Sequence, residues 1–195
     1  MSRRSMVAEV EARLAERLGP EALEHSVAVA RAAARLAETY GADAEQAYLA
    51  GLLHDWAREM TGAELLSSAG EYRLEVSAVD NAVPYLLHAR VGARQVAEAF
   101  PGIAEEVVEA VAAHTFGDDE MRDLTRIVYI ADMIEPGRDF EGVPELRDAV
   151  GAVDLDELFA SAYAETLLHL VRSQRHIHPQ TIAVWNGIVE RGGSR

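Results

Sequence analysis

Six side chains of types that commonly bind metal ions recur between residues 25 and 132 of this 195-residue chain. Two of them form a His-Asp pair near the end of the apolar run AYLAGLLHDWA at positions 47–57. An ionised carboxylate beside an imidazole is costly to bury unless its charge is compensated. A metal ion is the usual compensation when more His and Asp side chains lie on other buried faces. We therefore predict a metal centre formed by four histidines and two aspartates: His25, His54, Asp55, His88, His114 and Asp132.

The types of these side chains restrict which metal they suit. A single buried histidine is more often a core residue with protein partners than a ligand, but six such groups would leave several buried polar atoms without partners. Four imidazoles and two carboxylates exceed the needs of one tetrahedral zinc ion, and they suit two ions bridged by a carboxylate and a hydroxide. Iron, with manganese as the alternative, fits this set better than zinc. Asp55 is the natural bridge, because each of its two oxygens can bind one ion.

Three polar side chains near the predicted ligands are candidates for binding a phosphate group. Arg58 lies one turn after the His-Asp pair, and Arg90 follows the third ligand histidine by two positions. Thr115 directly follows His114 and offers a hydroxyl donor. The alternative for each arginine is a solvated surface position. The other three histidines fall outside the pattern, and we expect them to be surface or structural residues: His169, His176 and His178.

Helices must bring these side chains together, because apolar residues recur at helical spacing and no alternating strand pattern is present. Pro20 is predicted to open a helix that reaches about Tyr40 and ends at Gly41. Small residues on the next helix, Gly51 among them, would let a neighbouring helix approach closely. The sequence predicts an all-α fold, a single helical bundle of about 8–10 helices around a buried dimetal site. The predicted helices cover residues 6–18, 20–40, 43–55, 61 onwards, 84–100, 104–115, 121–135, 154–175 and 179–191.

The chain is predicted to divide into three parts. An N-terminal helix occupies residues 1–19, the main domain occupies residues 20–190, and a disordered tail occupies residues 191–195. The polar stretch 67–82 lacks clear periodicity. It is either a lid that closes over a substrate or a plain surface connection, and both alternatives suit a polar stretch of this length.

Composition argues against several classes of partner. The net charge of −15 and the pI near 4.8 produce a field that repels nucleic acid and anionic membranes, so neither is a predicted partner. The same field repels phosphate, so a phosphate site would need local cations from metal or arginine. The chain contains no cysteine, which fits a reducing cytosol, and its beginning lacks the apolar region of a signal peptide. We therefore expect a cytoplasmic protein.

Five segments of the chain resemble the YqeK-type proteins of the HD superfamily of metal-dependent phosphohydrolases. They are LLHDWAR at 52–58, LLHARVGA at 86–93, HTFGD at 114–118, IADMIEPGRDFEGV at 130–143 and IHPQTIAVWN at 177–186. The resemblance spans roughly residues 23–186, and IADMIEPGRDF is its most specific part. It implies an HD domain over residues 20–190. It also implies a symmetrical dinucleoside tetraphosphatase, which cleaves diadenosine tetraphosphate into two ADP at a di-iron site.

The resemblance also implies roles for individual residues. The implied metal ligands are the six residues predicted above. Arg58 stands where many members have Lys, which preserves the charge but not the geometry of the contact. Phe116 stands where a second Thr is frequent, so a hydroxyl is missing from this position. Four residues in matching segments are expected to shape the nucleotide pocket: Arg90, Glu135, Arg138 and Asp139.

The predicted reaction is the in-line attack of a metal-bound hydroxide on a central phosphorus of the tetraphosphate chain. The metals and Arg58 or Arg90 would neutralise the charge that develops on the departing ADP, so Asp55 and Arg58 are the predicted catalytic residues. Two alternatives stay open. The chain is an HD-type phosphohydrolase of another nucleotide, or it is a sensor that binds a nucleotide or metal without catalysis. An enzyme of either kind has a small nucleotide as its substrate. The chain is a monomer or assembles as a homodimer, and the sequence leaves both open.

Overall fold

The computed structural model describes residues 3–118 and 120–192, and the fold there is built from helices alone. The all-α prediction is confirmed. These described residues form eleven α-helices and one short 3₁₀-helix at Pro84–Leu87, more than the 8–10 expected, because α5 and α9 are too short to give a helical pattern. The α-helices are α1 Arg3–Arg17, α2 Pro20–Tyr40, α3 Ala44–Leu53, α4 Gly62–Glu71, α5 Ala78–Ala82, α6 His88–Ala99, α7 Glu105–Ala113, α8 Asp123–Ile134, α9 Val143–Ala149, α10 Leu155–Arg172 and α11 Pro179–Gly192.

Local sequence signals determine where several helices begin and end. Pro20 occupies the first turn of α2, and Gly41 ends that helix in the left-handed conformation, with φ at 77°. The side chain of Asp43 caps α3 by accepting hydrogen bonds from two main-chain N–H groups of its first turn. Thr61 and Glu64 form the predicted capping box at the start of α4. The helices that carry the predicted ligands therefore begin and end close to the residues expected.

The long helix α2 packs against α3 and α8, and α7 packs against α3, α6 and α8. The approach of α2 to α3 is close because Gly51 has no side chain: a Cβ atom there would lie 2.6 Å from the Cα atom of Ala30. The prediction that small residues of α3 admit a neighbouring helix is confirmed. As a result His25 of α2 and His54 at the end of α3 lie together, with ring centroids 5.2 Å apart.

The two ends of the chain join the same bundle. α1 packs on α2 and α3, and its residues Val10 and Leu14 are fully buried in the common core. α11 reaches Gly192, so the first two residues of the predicted tail are helical, and residues 193–195 lie outside the described part. The division of the chain at residues 19 and 190 stays a prediction. None of the described helices is both long and apolar enough to cross a membrane.

Candidate metal centre

Elements from five parts of the chain bring the six predicted ligands into one cluster. His25 lies within α2, and Asp132 lies within α8. His54 and His114 each lie directly after the carboxyl end of a helix, α3 and α7 respectively. His88 opens α6 directly after the 3₁₀-helix. The aspartate of the His-Asp pair occupies the turn that follows α3, so the change of chain direction there points its carboxylate into the cluster.

Asp55 lies between two groups of potential ligands. Its Oδ2 atom is 3.2 Å from Nε2 of His54 and 3.7 Å from Nε2 of His25. Its Oδ1 atom is 3.2 Å from Nε2 of His88 and 3.8 Å from Nε2 of His114. Within each group the potential ligand atoms all lie within 4.8 Å of one another, a distance that two bonds to one ion can span. One buried carboxylate thus faces two separate histidine pairs with different oxygens, as a bridging ligand does.

Asp132 joins the first of these groups. Its Oδ1 atom is 3.0 Å from Nε2 of His25 and 4.0 Å from Nε2 of His54. Arg138 donates a hydrogen bond from Nη2 to the same oxygen at 2.6 Å, and another from Nε to the main-chain carbonyl of Asp132 at 2.9 Å. A guanidinium therefore holds the carboxylate in place while the carboxylate faces the imidazoles.

The histidine rings are oriented through their Nδ1 atoms. In His54, His88 and His114, Nδ1 lies 2.8, 2.7 and 2.8 Å from the main-chain carbonyl oxygen three residues earlier. A proton on Nδ1 leaves the lone pair of each ring on Nε2, directed at the cluster. His25 differs, because its Nδ1 atom lies 3.2 Å from Oε1 of the buried Glu135. Carbonyl and carboxylate partners of this kind are the ones that orient metal-binding histidines.

The arrangement of donors in the cluster fits a cation. Nε2 of His54 is buried without a hydrogen-bond partner, although a carboxylate oxygen of Asp55 lies 3.2 Å away. The Nε2 atoms of His88 and His114 lie 3.1 Å apart, where two lone pairs repel each other. Positive ions among these atoms would satisfy the three nitrogens and the carboxylate together. The residues present therefore suit bound metal.

Burial and neighbouring charges shift the protonation of the cluster. Without a bound cation, burial acts to lower the pKa of His54, but Asp55 and Asp132 outweigh it and raise that pKa to about 9, so this ring must lose a proton when it binds metal. Burial and the imidazoles of His54 and His88 lower the pKa of His114 to about 3. Burial acts to raise the pKa values of Asp55 and Asp132, but the surrounding imidazoles outweigh it, and both values lie below the ordinary range. Both carboxylates are therefore ionised at neutral pH.

A pocket of about 270 Å³ opens onto the cluster, and we call it the metal pocket. Two of the residues predicted to bind phosphate, Arg58 and Thr115, line it, and so does Arg138, which was predicted to shape the nucleotide pocket. Arg58 pairs with the carboxylate of Asp55. The hydroxyl oxygen of Thr115 lies 3.4 Å from Nε2 of His114. Guanidinium and hydroxyl donors thus lie in the same pocket as the carboxylates, which allows phosphate oxygens to bind beside the cluster.

One residue of this pocket is not among the predicted site residues, and another nearby has a contact different from the one expected. Tyr85 lines the pocket, and its ring stacks on His88 with centroids 4.6 Å apart. Glu135 was expected in the nucleotide pocket, but it contacts the Nδ1 atom of His25 instead. Each of them lies three residues from a predicted ligand, Tyr85 before His88 and Glu135 after Asp132. This spacing of about one helical turn is a signal that would have found both.

Arg90 and Asp139 do not occupy the predicted positions. Arg90 donates from Nη2 to the carboxylate of Asp80 at 2.8 Å and from Nη1 to the main-chain carbonyl of Glu75 at 2.7 Å. Asp80 is fully buried, so its charge requires a cation, and Arg90 supplies it. Asp139 is exposed. Neither residue lines the metal pocket, so the predicted contact of Arg90 with phosphate and the predicted place of Asp139 in the nucleotide pocket stay without support in the geometry.

The stretch 67–82, predicted to be a lid or a surface connection, contains the end of α4 and all of α5. The hydroxyl of Ser77 and the carboxylate of Asp80 lie 3.2 and 3.4 Å from Nε2 of His178. The ring of His178 in turn stacks on Phe116, with centroids 4.1 Å apart. His178 therefore has a structural position. Its contacts attach the stretch to the body of the bundle, which favours the connection over the lid.

Comparison with known proteins points to one family. The HD domain family model matches residues 22–137. Two proteins named symmetrical bis(5'-nucleosyl)-tetraphosphatase align with 85% of this chain and 88% of their own length. The protein from Bacillus subtilis (strain 168) is 32% identical, and the protein from Halalkalibacterium halodurans is 33% identical.

A solved structure shares the fold over almost the whole chain. It is the crystal structure of a predicted HD superfamily hydrolase involved in NAD metabolism from Clostridium acetobutylicum. The two structures superpose with a TM-score of 0.88 at 33% sequence identity, and the match covers 95% of this chain and 97% of that one. The shared structure therefore extends well beyond residues 22–137, the part of the chain that the family model matches.

Proposed function

This chain belongs to the HD-domain family and, within it, to the group of symmetrical bis(5'-nucleosyl)-tetraphosphatases, and on this premise we propose that it hydrolyses diadenosine tetraphosphate to two ADP. The observation that carries the proposal is the position of Asp55, whose two oxygens face two separate histidine pairs. A polyphosphate suits the adjoining pocket, because Arg58, Thr115 and Arg138 line it with cationic and hydroxyl donors.

We infer that two metal ions are the cofactors, with iron first and manganese second in preference. One ion would be held by His25, His54 and Asp132 and the other by His88 and His114, with Asp55 shared between them. When bound, such ions act as Lewis acids on phosphate oxygens and supply a nucleophile at neutral pH. With Asp55 shared, one ion has four protein donors and the other has three, and mixed imidazole and carboxylate donors with positions left open for water support iron or manganese.

The side chains around the metal pocket would bind and orient the tetraphosphate chain. The guanidinium forks of Arg58 and Arg138 match the geometry of phosphate oxygens, and Thr115 adds a hydroxyl donor. Attack by water on a central phosphorus forms one P–O bond and breaks the bond from that phosphorus to the bridging oxygen, which leaves with the electron pair as ADP, while the proton of the water is released to solvent. The two arginines neutralise the charge that develops on this leaving group, so no strong general acid is required.

The test is anaerobic purification, quantification of the bound metal, and chromatography of the products formed from diadenosine tetraphosphate. We expect about two iron or manganese ions per chain and ADP as the sole product. Asp55→Ala should lose metal and turnover together. Glu38→Ala, which changes an exposed carboxyl group of α2, is the matched control and should keep both. Wild-type turnover by the Asp55→Ala protein, with its metal content verified, would contradict the proposal.

The products also separate the alternatives. Free phosphate released from a nucleoside monophosphate, without cleavage of the tetraphosphate, would indicate an HD-type phosphohydrolase of another nucleotide. Nucleotide binding without turnover under every metal tested would indicate a sensor. A location in the cytoplasm and assembly as a homodimer stay predictions, which fractionation and light scattering would test.

A further inference from the structure

A second cavity, of about 290 Å³, lies beside the metal pocket. Its wall is formed by α8, by α10 and by the segment that joins α8 to α9, and we call it the α8–α10 cavity. Four residues line both this cavity and the metal pocket: Asp132, Met133, Arg138 and Thr166. The two spaces are therefore neighbours that share part of their walls.

Two planar rings complete the wall of the α8–α10 cavity. The ring of Phe140 and the imidazole of His169 have centroids 6.3 Å apart and are tilted by 44°. Met133 adds a polarisable thioether to the same wall. Aromatic side chains stack on nucleobases whatever the base, because every base has a π-face. The cavity therefore has the chemistry of a base-binding surface, directly beside a pocket that suits phosphate.

Arg138 lies where the two spaces meet. Its guanidinium lines both of them, and it is held by a 2.6 Å hydrogen bond to the carboxylate of Asp132. A phosphate that binds Arg138 would therefore have the cluster of potential metal ligands on one side and the rings of Phe140 and His169 on the other. This order matches the order of groups in a nucleotide, in which a base and a sugar precede a chain of phosphates.

We propose that the α8–α10 cavity is the subsite for one nucleoside, with its base stacked on Phe140 and bordered by the ring of His169, and with its phosphates extending past Arg138 into the metal pocket. A cavity of 290 Å³ lies at the lower limit of small-molecule sites, which span about 300–1,000 Å³, so it suits one nucleoside and not a whole dinucleotide. The inference rests on the proposed function for its choice of a nucleotide ligand.

The test compares the binding of two ligands by calorimetry, with metal-loaded protein of full length. ADP carries a base and inorganic pyrophosphate does not. Phe140→Ala should weaken the binding of ADP by about 5- to 100-fold, the range expected for loss of one stacked base, and should leave the binding of pyrophosphate unchanged. His169→Ala should weaken ADP binding in the same direction. His176→Ala, a change at another exposed histidine that lies outside the cavity, should have no effect.

Two further variants separate stacking from packing. Phe140→Tyr keeps an aromatic ring and should retain the wild-type affinity for ADP. Phe140→Leu keeps apolar bulk without a ring and should lose affinity as Phe140→Ala does. Wild-type affinity for ADP in the Phe140→Leu protein would overturn the proposal, because the residue would then only fill space. Equal weakening of ADP and pyrophosphate by Phe140→Ala would overturn it as well.

Binding and cleavage are measured separately, so the two proposals fail in different ways. Protein that binds ADP through Phe140 but leaves diadenosine tetraphosphate intact would keep the nucleoside subsite and reject the proposed reaction. Protein that cleaves diadenosine tetraphosphate to ADP, and binds ADP equally well with and without the ring of Phe140, would keep the reaction and reject the subsite.

Discussion

The two halves of the metal cluster are built differently. The half that contains His88 and His114 is closed, with side chains 4% and 3% exposed. The half that contains His25 and Asp132 is more open, with side chains 13% and 26% exposed. Asp55 belongs to both. The difference is one of exposure and not of access to the metal pocket, because His88 and His114 of the closed half and Asp132 of the open half all line that pocket.

The closed half is supported from behind by a series of contacts. Arg90, two residues after His88, pairs with the buried carboxylate of Asp80, which lies 3.4 Å from Nε2 of His178. His178 stacks on Phe116, which follows the other histidine of this half by two residues. The segments that carry the two histidines are thus connected to each other by residues outside the lining of the metal pocket.

The open half is supported by charged side chains of the segment after α8. Glu135 contacts His25, and Arg138 contacts Asp132. Arg147 of α9 in turn donates to three main-chain carbonyls of this segment, at 2.9, 2.6 and 2.8 Å. The short helix α9 therefore holds in place the segment that contacts both ligands of the open half.

The largest expected effect comes from replacing a single histidine, either in the open half or in the closed half. His25→Ala and His114→Ala should each reduce the metal content from about two ions per chain to about one, because each removes a ligand of one group only. Metal per chain, measured by mass spectrometry after gel filtration, gives the result. Loss of both ions from either variant would show that the two halves bind metal as one unit, which would contradict their treatment as separate sites.

Removal of Asp80 should destabilise the support of the closed half. Asp80→Ala leaves the guanidinium of Arg90 without its carboxylate, and we expect the free energy of unfolding to fall by about 3 kcal/mol. Urea denaturation of the metal-loaded protein measures it. Glu141→Ala breaks the exposed pair between Glu141 and Arg172 and should cost less than about 1 kcal/mol. Equal losses of unfolding free energy in Asp80→Ala and Glu141→Ala would show that the buried pair stabilises the fold no more than the exposed pair does.

A change at Glu135 should affect the open half alone. Glu135→Gln removes the charge beside Nδ1 of His25, and loss of such a partner lowers metal affinity by about 10- to 100-fold. Competition with a chelator should therefore show one weakened ion and one unchanged ion. Glu145→Gln, at an exposed position of α9, serves as the control. Wild-type affinity for both ions in Glu135→Gln would remove Glu135 from the support of the site.

The smallest expected effect concerns the packing of α2 on α3. Gly51→Ala places a Cβ atom 2.6 Å from the Cα atom of Ala30, so the two helices must move apart, and overpacking of this kind costs about 1–3 kcal/mol. Gly70→Ala in α4 meets nothing within 4 Å and should be neutral or slightly stabilising. Thermal denaturation compares them. A Gly51→Ala protein as stable as the Gly70→Ala protein would show that the close approach is not required.

The elements and ligands that could be predicted from the sequence have local signals. The capping box at Thr61, the proline at the start of α2 and the helical spacing of apolar residues each act within a few residues. The six predicted ligands lie at the ends or on the buried faces of those helices, so their convergence followed from the pattern. Asp55 between two histidine pairs is the part of the site that this reasoning anticipated best.

The residues that could not be predicted depend on contacts distant in the chain. Arg90 was assigned to phosphate, but it binds Asp80, ten residues earlier, in a helix of five residues that gives no periodic signal. His178 is 98 residues from that same aspartate. The spacing of Glu135 from Asp132 places it near the cluster, but its partner His25 is 110 residues away. No spacing within a segment reveals such pairs, because only the packing of the bundle brings them together.

The placement of His54 and His114 at helix ends has a consequence for the order of binding. Each lies at the carboxyl end of a helix, where the aligned peptide dipoles leave a partial charge of about −0.5. Together with two ionised aspartates and a net charge of −15, these helix ends attract cations to the cluster and oppose the attraction of polyphosphate by Arg58 and Arg138. Bound cations would therefore strengthen the binding of the nucleotide. A cell short of metal would hold a protein with a weakened affinity for the substrate as well as a lost reactivity.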